Sequence, residues 1–486
     1  MRSCKLFKFT FLSILTLLTT VALVSATPAT VSTLHRVSRP PQFIALAFDG
    51  SKSIQMWNET RQFASANRHL HFTYFISGVY FLTHENRQFY NAPRRGLGFS
   101  NIGFGHDRQE ILERIHQVNL AHSELNEIGS HANGHFDGST WNAENWTSEF
   151  EQFNQLVFHP SANNQFGDGE SMGIMLQDIV GFRAPYLARS DGLWPTLQAF
   201  HYRYDTSRTG PSNYWPQKMP HGFWNFPLAD LRIAGSGLRT LSMDYNFYYA
   251  HSHAQPDAAH SALYEQQTLD TYTQWFEANY NGNRAPISIG HHFDTFNAGA
   301  YWRALKRFAD RVCNQPEVRC VSYRELADFM ESVTPSTRQA YQAGGFDRGP
   351  RLSFETPSGP PLNVALALRQ VTPERVEVVL SGSDSDRLKA QGLAVAWTLD
   401  GNPSPERPAK GLGSTNKFNL AIKSSDFKSD GSPSRLSAEA TLDGKVIART
   451  THLIIPARSG AGFELSSEDL EDLSLNSDLP EAHNEE

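Results

Sequence analysis

The pattern of apolar and polar residues divides the chain into two parts with different periods. Between residue 43 and about residue 333, short apolar runs alternate with stretches of helical periodicity, which is typical of an α/β domain. The pattern predicts strands over Phe43–Phe48, Phe72–Ser77, Leu125–Ser130, Asp178–Phe182, Leu238–Met243 and Pro286–Gly290, and helices over Arg108–Glu124, Ser261–Ala278 and Ala300–Val312. From about residue 356 to 457, apolar residues recur at every second position, which predicts a small antiparallel β-sandwich.

The segments around these two parts differ from them in composition. Residues 336–355 are rich in Gly, Pro and polar side chains, and we interpret them as a linker. The last 24 residues carry nine acidic residues and no Lys or Arg, so residues 458–486 are predicted to form a disordered tail. The predicted order is therefore an α/β domain over 27–335, a linker, a β-sandwich over 356–457 and the tail.

The N-terminus has the features of an export signal. Arg2, Lys5 and Lys8 precede a mostly apolar stretch over residues 9–24, and small residues allow cleavage after Ala26. We predict a signal peptide over residues 1–26 and a secreted, periplasmic or cell-envelope protein; the alternative is an uncleaved membrane anchor. No other run approaches the ~20 apolar residues that span a bilayer, so we expect no stable membrane insertion after cleavage.

Net charge bears on the possible partners of the chain, and cysteine content bears on its disulfides. The formal net charge is −7, but most of it lies in the acidic tail, so nothing in the body of the chain argues for nucleic-acid binding. Of the three cysteines, Cys4 lies in the signal, and Cys313 and Cys320 remain. In an exported protein these two are predicted to form a local disulfide; the alternative is a pair of unbonded core thiols.

Polar residues follow most of the predicted strands of the first part, at the point where each strand ends. They are Asp49, His131, Arg183, Asp244 and the pair His291-His292. In α/β barrels the C-terminal ends of the strands meet on one face, where active sites are built. These residues are therefore predicted to form one site.

Two local patterns suggest what the site does. The segment "SHANGH" places His131 and His135 four residues apart, which would put both imidazoles on one side of a helical turn, as metal ligands; the alternative is two capping or surface histidines. In "GFRAPYL", Pro185 favours an extended Ala184 and so a fixed Arg183. A fixed guanidinium can orient a carboxylate, although a purely structural ion pair is the alternative.

The segments "FIALAFDG", "HFTYFISG", "EIGSHANGH", "VGFRAPYL", "ISIGHH" and "VRCVSYRELADFM" occur in an order that resembles the polysaccharide deacetylases. That family includes chitin and peptidoglycan N-deacetylases and acetylxylan esterases. The resemblance covers residues 43 to about 332 and implies a distorted (β/α) barrel as the catalytic domain. It also implies a bound divalent metal ion, most often zinc.

The resemblance assigns roles to residues of this chain. Asp49 matches the general base, and His131 and His135 match metal ligands. Arg183 matches the arginine that orients the base, and Asp244 matches an acid that holds that arginine. The general acid matches either His292, which we favour, or His291.

The chain departs from the family motif T-F-D-D-G, because Asp49 is followed by Gly50. Either the metal-binding aspartate is replaced by glycine, or one residue is deleted and Asp49 is itself a ligand. A third ligand could come from Asp49, Asp137 or Asp294, and the sequence does not choose among them. The residue after the first histidine is Ala132, where the family usually has Ser or Thr.

The resemblance implies a metal-dependent hydrolase that removes N-acetyl groups from an N-acetylglucosamine polysaccharide, either peptidoglycan or chitin. The alternatives are a catalytically disabled carbohydrate-binding relative and an O-acetyl esterase acting on xylan. Residues 83–108 form an unusually long connection that is expected to rim the substrate groove. The expected partner is thus an acetylated polysaccharide.

Overall fold

The computed structural model describes residues 37–354 apart from 68–69 and 168–170, and, with further gaps, residues 364–465. The predicted signal peptide, residues 355–363 and the end of the acidic tail lie outside the described residues. Within the described residues, no helix is both long and apolar enough to cross a lipid bilayer.

The first part of the chain is a mixed α/β structure, as predicted. Its strands are β1 Gln42–Gly50, β2 Thr73–Ile76, β3 Asn91–Ala92, β4 Gly96–Leu97, β5 Glu127–Ser130, β6 Gly181–Phe182, β7 Tyr204–Asp205, β8 Thr209–Pro211, β9 Gln217–Lys218, β10 Trp224–Asn225, β11 Leu228–Arg232, β12 Arg239–Leu241, β13 Ile287–His292 and β14 Val318–Val321. Its helices are α1 Ile54–Ala66, α2 Arg108–Ser123, α3 Ala143–Phe158, α4 Pro160–Asn164, α5 Leu193–Ala199, α6 Asp244–Ser252, α7 Ser261–Tyr280, α8 Phe296–Val312, α9 Tyr323–Ser332 and α10 Pro335–Gln342.

The central sheet runs in the order β13-β1-β2-β5-β6-β7-β10-β9, with β14 also paired to β1. All of these pairs are parallel except β10 with β9. A second sheet, β12-β11-β8, adjoins β13 through a bridge between Met243 and Gly290. The curled sheet therefore forms the distorted half-barrel that the resemblance implies.

The centre of the sheet is buried on both faces. Residues 42–49 of β1 are all buried, which is typical of a strand covered by helices on both sides. Side chains on the two faces belong to two separate hydrophobic clusters: Ile44, Leu46 and Phe48 to one, Phe43 and Ala45 to the other. This packing fixes where β1 ends, and hence the position of Asp49.

The segment interpreted as a linker begins with a helix, α10. Thr334 caps it by accepting a hydrogen bond from the backbone N–H of Thr337, and Pro335 occupies its first turn. The ring of Tyr341 stacks on Trp215, with the centroids 5.2 Å apart. Leu352 and Phe354 also pack against the hydrophobic core of the α/β part, so residues up to 354 belong to it.

The predicted alternating strands are present after residue 364. They are β15 Ala365–Thr372, β16 Arg375–Ser381, β17 Ala394–Leu399, β18 Asn402–Pro403, β19 Lys410–Gly411, β20 Lys417–Ala421, β21 Ser434–Leu442, β22 Lys445–Pro456 and β23 Phe463–Leu465, with a short helix α11 Ser385–Ala390. They form two antiparallel sheets, β15-β16-β20 and β18-β17-β21-β22-β23, whose buried residues share one core. That they form a separate domain over 356–457 stays a prediction.

The structure also tests the predicted disulfide and the predicted start of the disordered tail. Cys313 and Cys320 form the predicted disulfide, with their Cα atoms 5.6 Å apart. The start of the predicted disordered tail is wrong, because Phe463–Leu465 pairs with β22 and Phe463 is buried. The buried Phe463 side chain joins the shared core, and the strand pairs with the end of β22.

Candidate active site

A cleft of about 1220 Å³ lies at the C-terminal end of β1. Five of the residues predicted to form the site line it: Asp49, His131, His135, His292 and Asp294. Because β1 pairs with β13 in parallel, Asp49 and His292 are direct neighbours in register. The cleft therefore brings together side chains from separate strand ends, as the α/β pattern predicted.

Asp49 and Arg183 form a buried ion pair at the floor of this cleft. The Nη1 of Arg183 donates to Oδ1 of Asp49 over 2.7 Å, and both side chains are almost wholly excluded from solvent. The Nε of Arg183 donates to the Thr206 hydroxyl over 2.7 Å, and its Nη2 contacts the Tyr323 hydroxyl at 3.2 Å. The guanidinium is thus held on three sides, and it fixes the orientation of the Asp49 carboxylate.

Asp244 lies against the two tandem histidines, and its predicted role is wrong. Its Oδ1 is 2.7 Å from Nδ1 of His292, and its Oδ2 accepts from the backbone N–H of His292 over 2.8 Å. The hydrogen-bond partners of Arg183 are instead Asp49, Thr206 and Tyr323. The reason is the bridge between Met243 and Gly290, which brings Asp244 beside the end of β13.

The contact between Asp244 and His292 keeps the carboxyl group ionised and places a proton on Nδ1 of the imidazole. Burial alone would raise the pKa of the Asp244 carboxyl, but the charge and hydrogen bonds of His292 lower it below its usual value. An ionised carboxylate only accepts hydrogen bonds, so Nδ1 of His292 carries a proton. Proton exchange with a molecule in the cleft would then take place at Nε2.

The structure separates the two histidines that the sequence left as alternatives. Adjacent residues of a strand point to opposite faces, and only His292 lines the cleft. His291 is buried, with Nε2 at 3.4 Å from the Tyr272 hydroxyl and Nδ1 at 3.6 Å from Asp244. Burial lowers the pKa of His291 to about 4, so it is neutral near pH 7. His292 is therefore the better candidate for the general acid.

His131 and His135 lie side by side, but not on the helical turn that their spacing suggested. Their ring centroids are 5.2 Å apart, while Ala132 and His135 both adopt left-handed backbone conformations with φ of 55°. Nδ1 of His131 is 2.8 Å from the Arg183 carbonyl oxygen. Since a carbonyl only accepts, this nitrogen carries the proton and the lone pair of a neutral His131 lies on Nε2. That tautomer suits a metal ligand.

A third metal ligand is lacking among the residues that the structure describes. No group of three or more His, Cys, Asp or Glu side chains there is arranged to hold a metal ion. Asp137 is exposed and accepts from the backbone N–H of Ser139, while the Asp49 carboxylate is bound by Arg183. The described residues thus do not fit a catalytic zinc site with three protein ligands, and we derive no step through a metal.

Gly50 lies where the missing carboxylate would be expected. It lines the cleft, has a φ of +75°, and a Cβ built on it would meet no atom within 4 Å. Because Asp49 is held by Arg183 in the manner of an oriented base, this arrangement favours replacement of a ligand by Gly50 over deletion of a residue.

Glu149 supports the loop between the two imidazoles. The sequence did not predict that this residue belongs to the site. This buried residue of α3 accepts hydrogen bonds from the backbone N–H of Asn133, over 2.8 Å, and from the Tyr90 hydroxyl, over 2.9 Å. Burial raises the pKa of its carboxyl to about 7, although these hydrogen bonds lower it. A Cβ on Gly78 would come within 2.1 Å of Asn133, so the loop is closely packed from this side as well.

No family model matches the chain, and no curated protein matches it. A protein assigned as a polysaccharide deacetylase from Mycobacterium smegmatis is 12% identical, with a TM-score of 0.38, and the match covers 62% of this chain and 95% of that one.

Two further solved structures are similar over the same part of the chain. The Xyl-CE4 domain of a multidomain xylanase, from the hindgut metagenome of Trinervitermes trinervoides, is 15% identical with a TM-score of 0.32, over 61% of this chain and 94% of that one. A CE4 family pseudoenzyme from Bacillus anthracis is 9% identical with a TM-score of 0.32, over 60% and 68%. The chain is thus similar, at low identity, to solved structures of the polysaccharide deacetylase family that its motifs resemble.

Proposed function

We propose that the protein hydrolyses acetyl groups on a carbohydrate, with Asp49 as the base and His292 as the acid. The observation that carries this proposal is that Asp49, oriented by Arg183, and His292, oriented by Asp244, both line one cleft. A carboxylate fixed by a guanidinium and an imidazole fixed by a carboxylate are the two proton-transfer groups that acyl hydrolysis requires.

The proposed reaction assigns each proton to a named atom. Asp49 takes a proton from water as the oxygen of that water bonds to the acetyl carbonyl carbon. The bond from that carbon to the sugar nitrogen then breaks, and Nε2 of His292 gives its proton to the leaving nitrogen. The products are acetate and a free amine on the sugar.

The finer proposal is that the substrate is an N-acetylglucosamine polymer, peptidoglycan or chitin, and that the protein acts outside the cytoplasm. The motifs quoted above support it, and so does an open cleft in which a polymer could lie. An O-acetyl group would need the same two proton transfers, so xylan esterase activity must be tested beside it.

A second candidate is a carbohydrate-binding protein without catalysis. Gly50 favours it, because the cleft keeps its acid and base but does not complete a three-ligand metal site among the described residues. Such a protein would bind the same polysaccharide and release no acetate.

Acetate release separates these functions. We would incubate the protein with N-acetylglucosamine oligomers and with acetylated xylan, with added Zn²⁺ or with a chelator, and compare the Asp49→Asn variant. The proposal predicts release by the wild type and none by the variant. Binding without release by either protein would support the second candidate, and full activity of Asp49→Asn would refute the mechanism.

A further inference from the structure

The long connection after β2 presents apolar side chains to solvent. We call residues 87–99 the hairpin; it contains a 3₁₀ turn over Arg87–Phe89 followed by β3 and β4. Among the described residues, three of the seven large apolar side chains that are strongly exposed lie in it: Phe89 (55%), Leu97 (55%) and Phe99 (58%). Exposed apolar side chains that cluster in this way are typical of binding surfaces.

Backbone pairing holds the two arms of the hairpin together. Asn91 pairs with Leu97, and the backbone N–H of Gly98 donates to the carbonyl of Tyr90 over 2.8 Å. Leu97 ends β4, and Phe99 follows it after Gly98, whose φ of +74° turns the chain. Tyr90 and Ala92 are buried, so the hairpin already has an inner apolar face. The exposed side chains of Phe89, Leu97 and Phe99, which we call its outer face, have no place in the core.

The hairpin leads directly into the cleft. Asn101 donates from its backbone N–H to the Gly134 carbonyl and from its side chain to the His135 carbonyl, each over 2.8 Å. Residues 100–103 line the cleft together with both imidazoles. Phe99 is two residues from Asn101, which is about 7 Å along an extended chain. The apolar surface therefore begins beside the site.

The turn of the hairpin, which contains Arg94 and Arg95, is also anchored to residues that follow His135. The Arg95 guanidinium lies over the ring of Phe136, 6.0 Å from its centroid, and Arg94 donates to the Thr140 hydroxyl over 2.8 Å. Both partners follow His135 in the chain. These contacts tie the turn of the hairpin to the segment that carries the second imidazole.

We propose that the outer face of the hairpin binds the sugar units of the substrate chain that extend beyond the cleft. This rests on the proposed function, because the occupant is the same polysaccharide. The C–H faces of pyranose rings are apolar and pack on aromatic rings, and Phe89 and Phe99 offer such rings with little loss of side-chain freedom. The protein therefore recognises long chains in preference to short ones.

The test measures whether the hairpin side chains strengthen the binding of long oligomers relative to short ones. Dissociation constants would be measured by calorimetry for dimers and hexamers of N-acetylglucosamine and of acetylated xylose, which needs no turnover. We expect the wild type to bind one of the hexamers roughly tenfold more tightly than its dimer. The double variant Phe89→Ala/Phe99→Ala should lose that gain and keep its affinity for the dimer.

Leu125→Ala is the matched control, because Leu125 is 69% exposed and precedes the N-terminal end of β5, remote from the cleft. It should bind both lengths as the wild type does. Equal affinity of the wild type for dimer and hexamer would refute the binding role of the hairpin. It would leave the proposed function unaffected. No binding of any acetylated oligomer would overturn the proposed function itself.

A lipid surface is the rival occupant, since exposed Phe and Leu beside Arg also suit a membrane interface. Vesicles with and without anionic lipid would be sedimented with the same variants. If the double variant loses vesicle binding while its preference for hexamers is unchanged, the hairpin contacts lipid and the proposal is wrong. If neither protein binds vesicles and the preference for hexamers is lost, the proposal holds.

Discussion

Replacing Gly50 by aspartate should create the metal site that the cleft lacks. Gly50 lines the cleft with His131 and His135, and a Cβ there would meet no atom within 4 Å. A carboxylate at this position would therefore enter open space beside the two imidazoles. Three protein ligands are the usual set for catalytic zinc, and this change would supply the third.

The structure also indicates how much folding stability the Gly50→Asp substitution costs. Gly50 has a φ of +75°, which a residue with a Cβ adopts at a cost of roughly 1–2 kcal/mol, less for Asp and Asn than for others. With an unfolding entropy of about 2.1 cal/mol/K per residue over the roughly 300 residues of the α/β part, that lowers the melting temperature by about 2–3 °C. The gain in zinc affinity should exceed the roughly 10- to 100-fold that even outer-shell partners contribute.

Gly50→Asn is the matched control, because it has the same shape and backbone cost and carries no charge. Zinc affinity would be measured by competition with a chromogenic chelator for the wild type and both variants, with acetate release followed in parallel. We expect Gly50→Asp alone to bind zinc more tightly. If both variants fold and bind zinc equally, Gly50 is not the position of a lost ligand and the reasoning is refuted.

Three other predictions test the remaining groups. Arg183→Lys should lower acetate release roughly 10- to 100-fold while circular dichroism stays unchanged, because lysine cannot hold Asp49 and two hydroxyls at once; wild-type activity would leave only a structural role. His292→Ala should lower kcat by about 100-fold or more, whereas His291→Ala should mainly lower the melting temperature, and the reverse result would exchange their roles. Burial raises the pKa of Glu149 to about 7, so the folded state binds a proton more tightly than the unfolded chain and stability falls as pH rises through that range. Glu149→Gln should flatten this fall in urea unfolding between about pH 5 and about pH 8, and an unchanged slope would contradict it.

The sequence predicted the parts of the fold that depend on local patterns. The apolar run before Asp49 became β1, and the helix predicted over Arg108–Glu124 was observed over Arg108–Ser123. The alternating apolar pattern after residue 356 predicted antiparallel strands, and β21 pairs with β22 in that way, with Leu442 opposite Lys445. Strand ends were predictable for the same reason, because the change from apolar to polar marks the place where the chain leaves the core.

The contacts between distant segments were not predictable. Asp244 was expected at Arg183 and lies at His292, since only the pairing of Met243 with Gly290 decides which strand end it meets. Glu149 sits in an ordinary amphipathic helix, and no spacing links it to Asn133. The left-handed backbone at His135 is also invisible in a spacing of four, which fits a helical turn equally well.

The packing of residues 335–354 determines where this protein can be cut. Beyond Tyr341, the side chain of Asn281 exchanges hydrogen bonds with the backbone of Leu352, and Glu277 accepts from the backbone of Phe354. Cleavage at residue 335, where the α/β periodicity ends, would uncover Trp215 and remove the partners of α7. A protease-resistant α/β fragment should therefore end after Phe354, about twenty residues later than the hydrophobic pattern alone suggests.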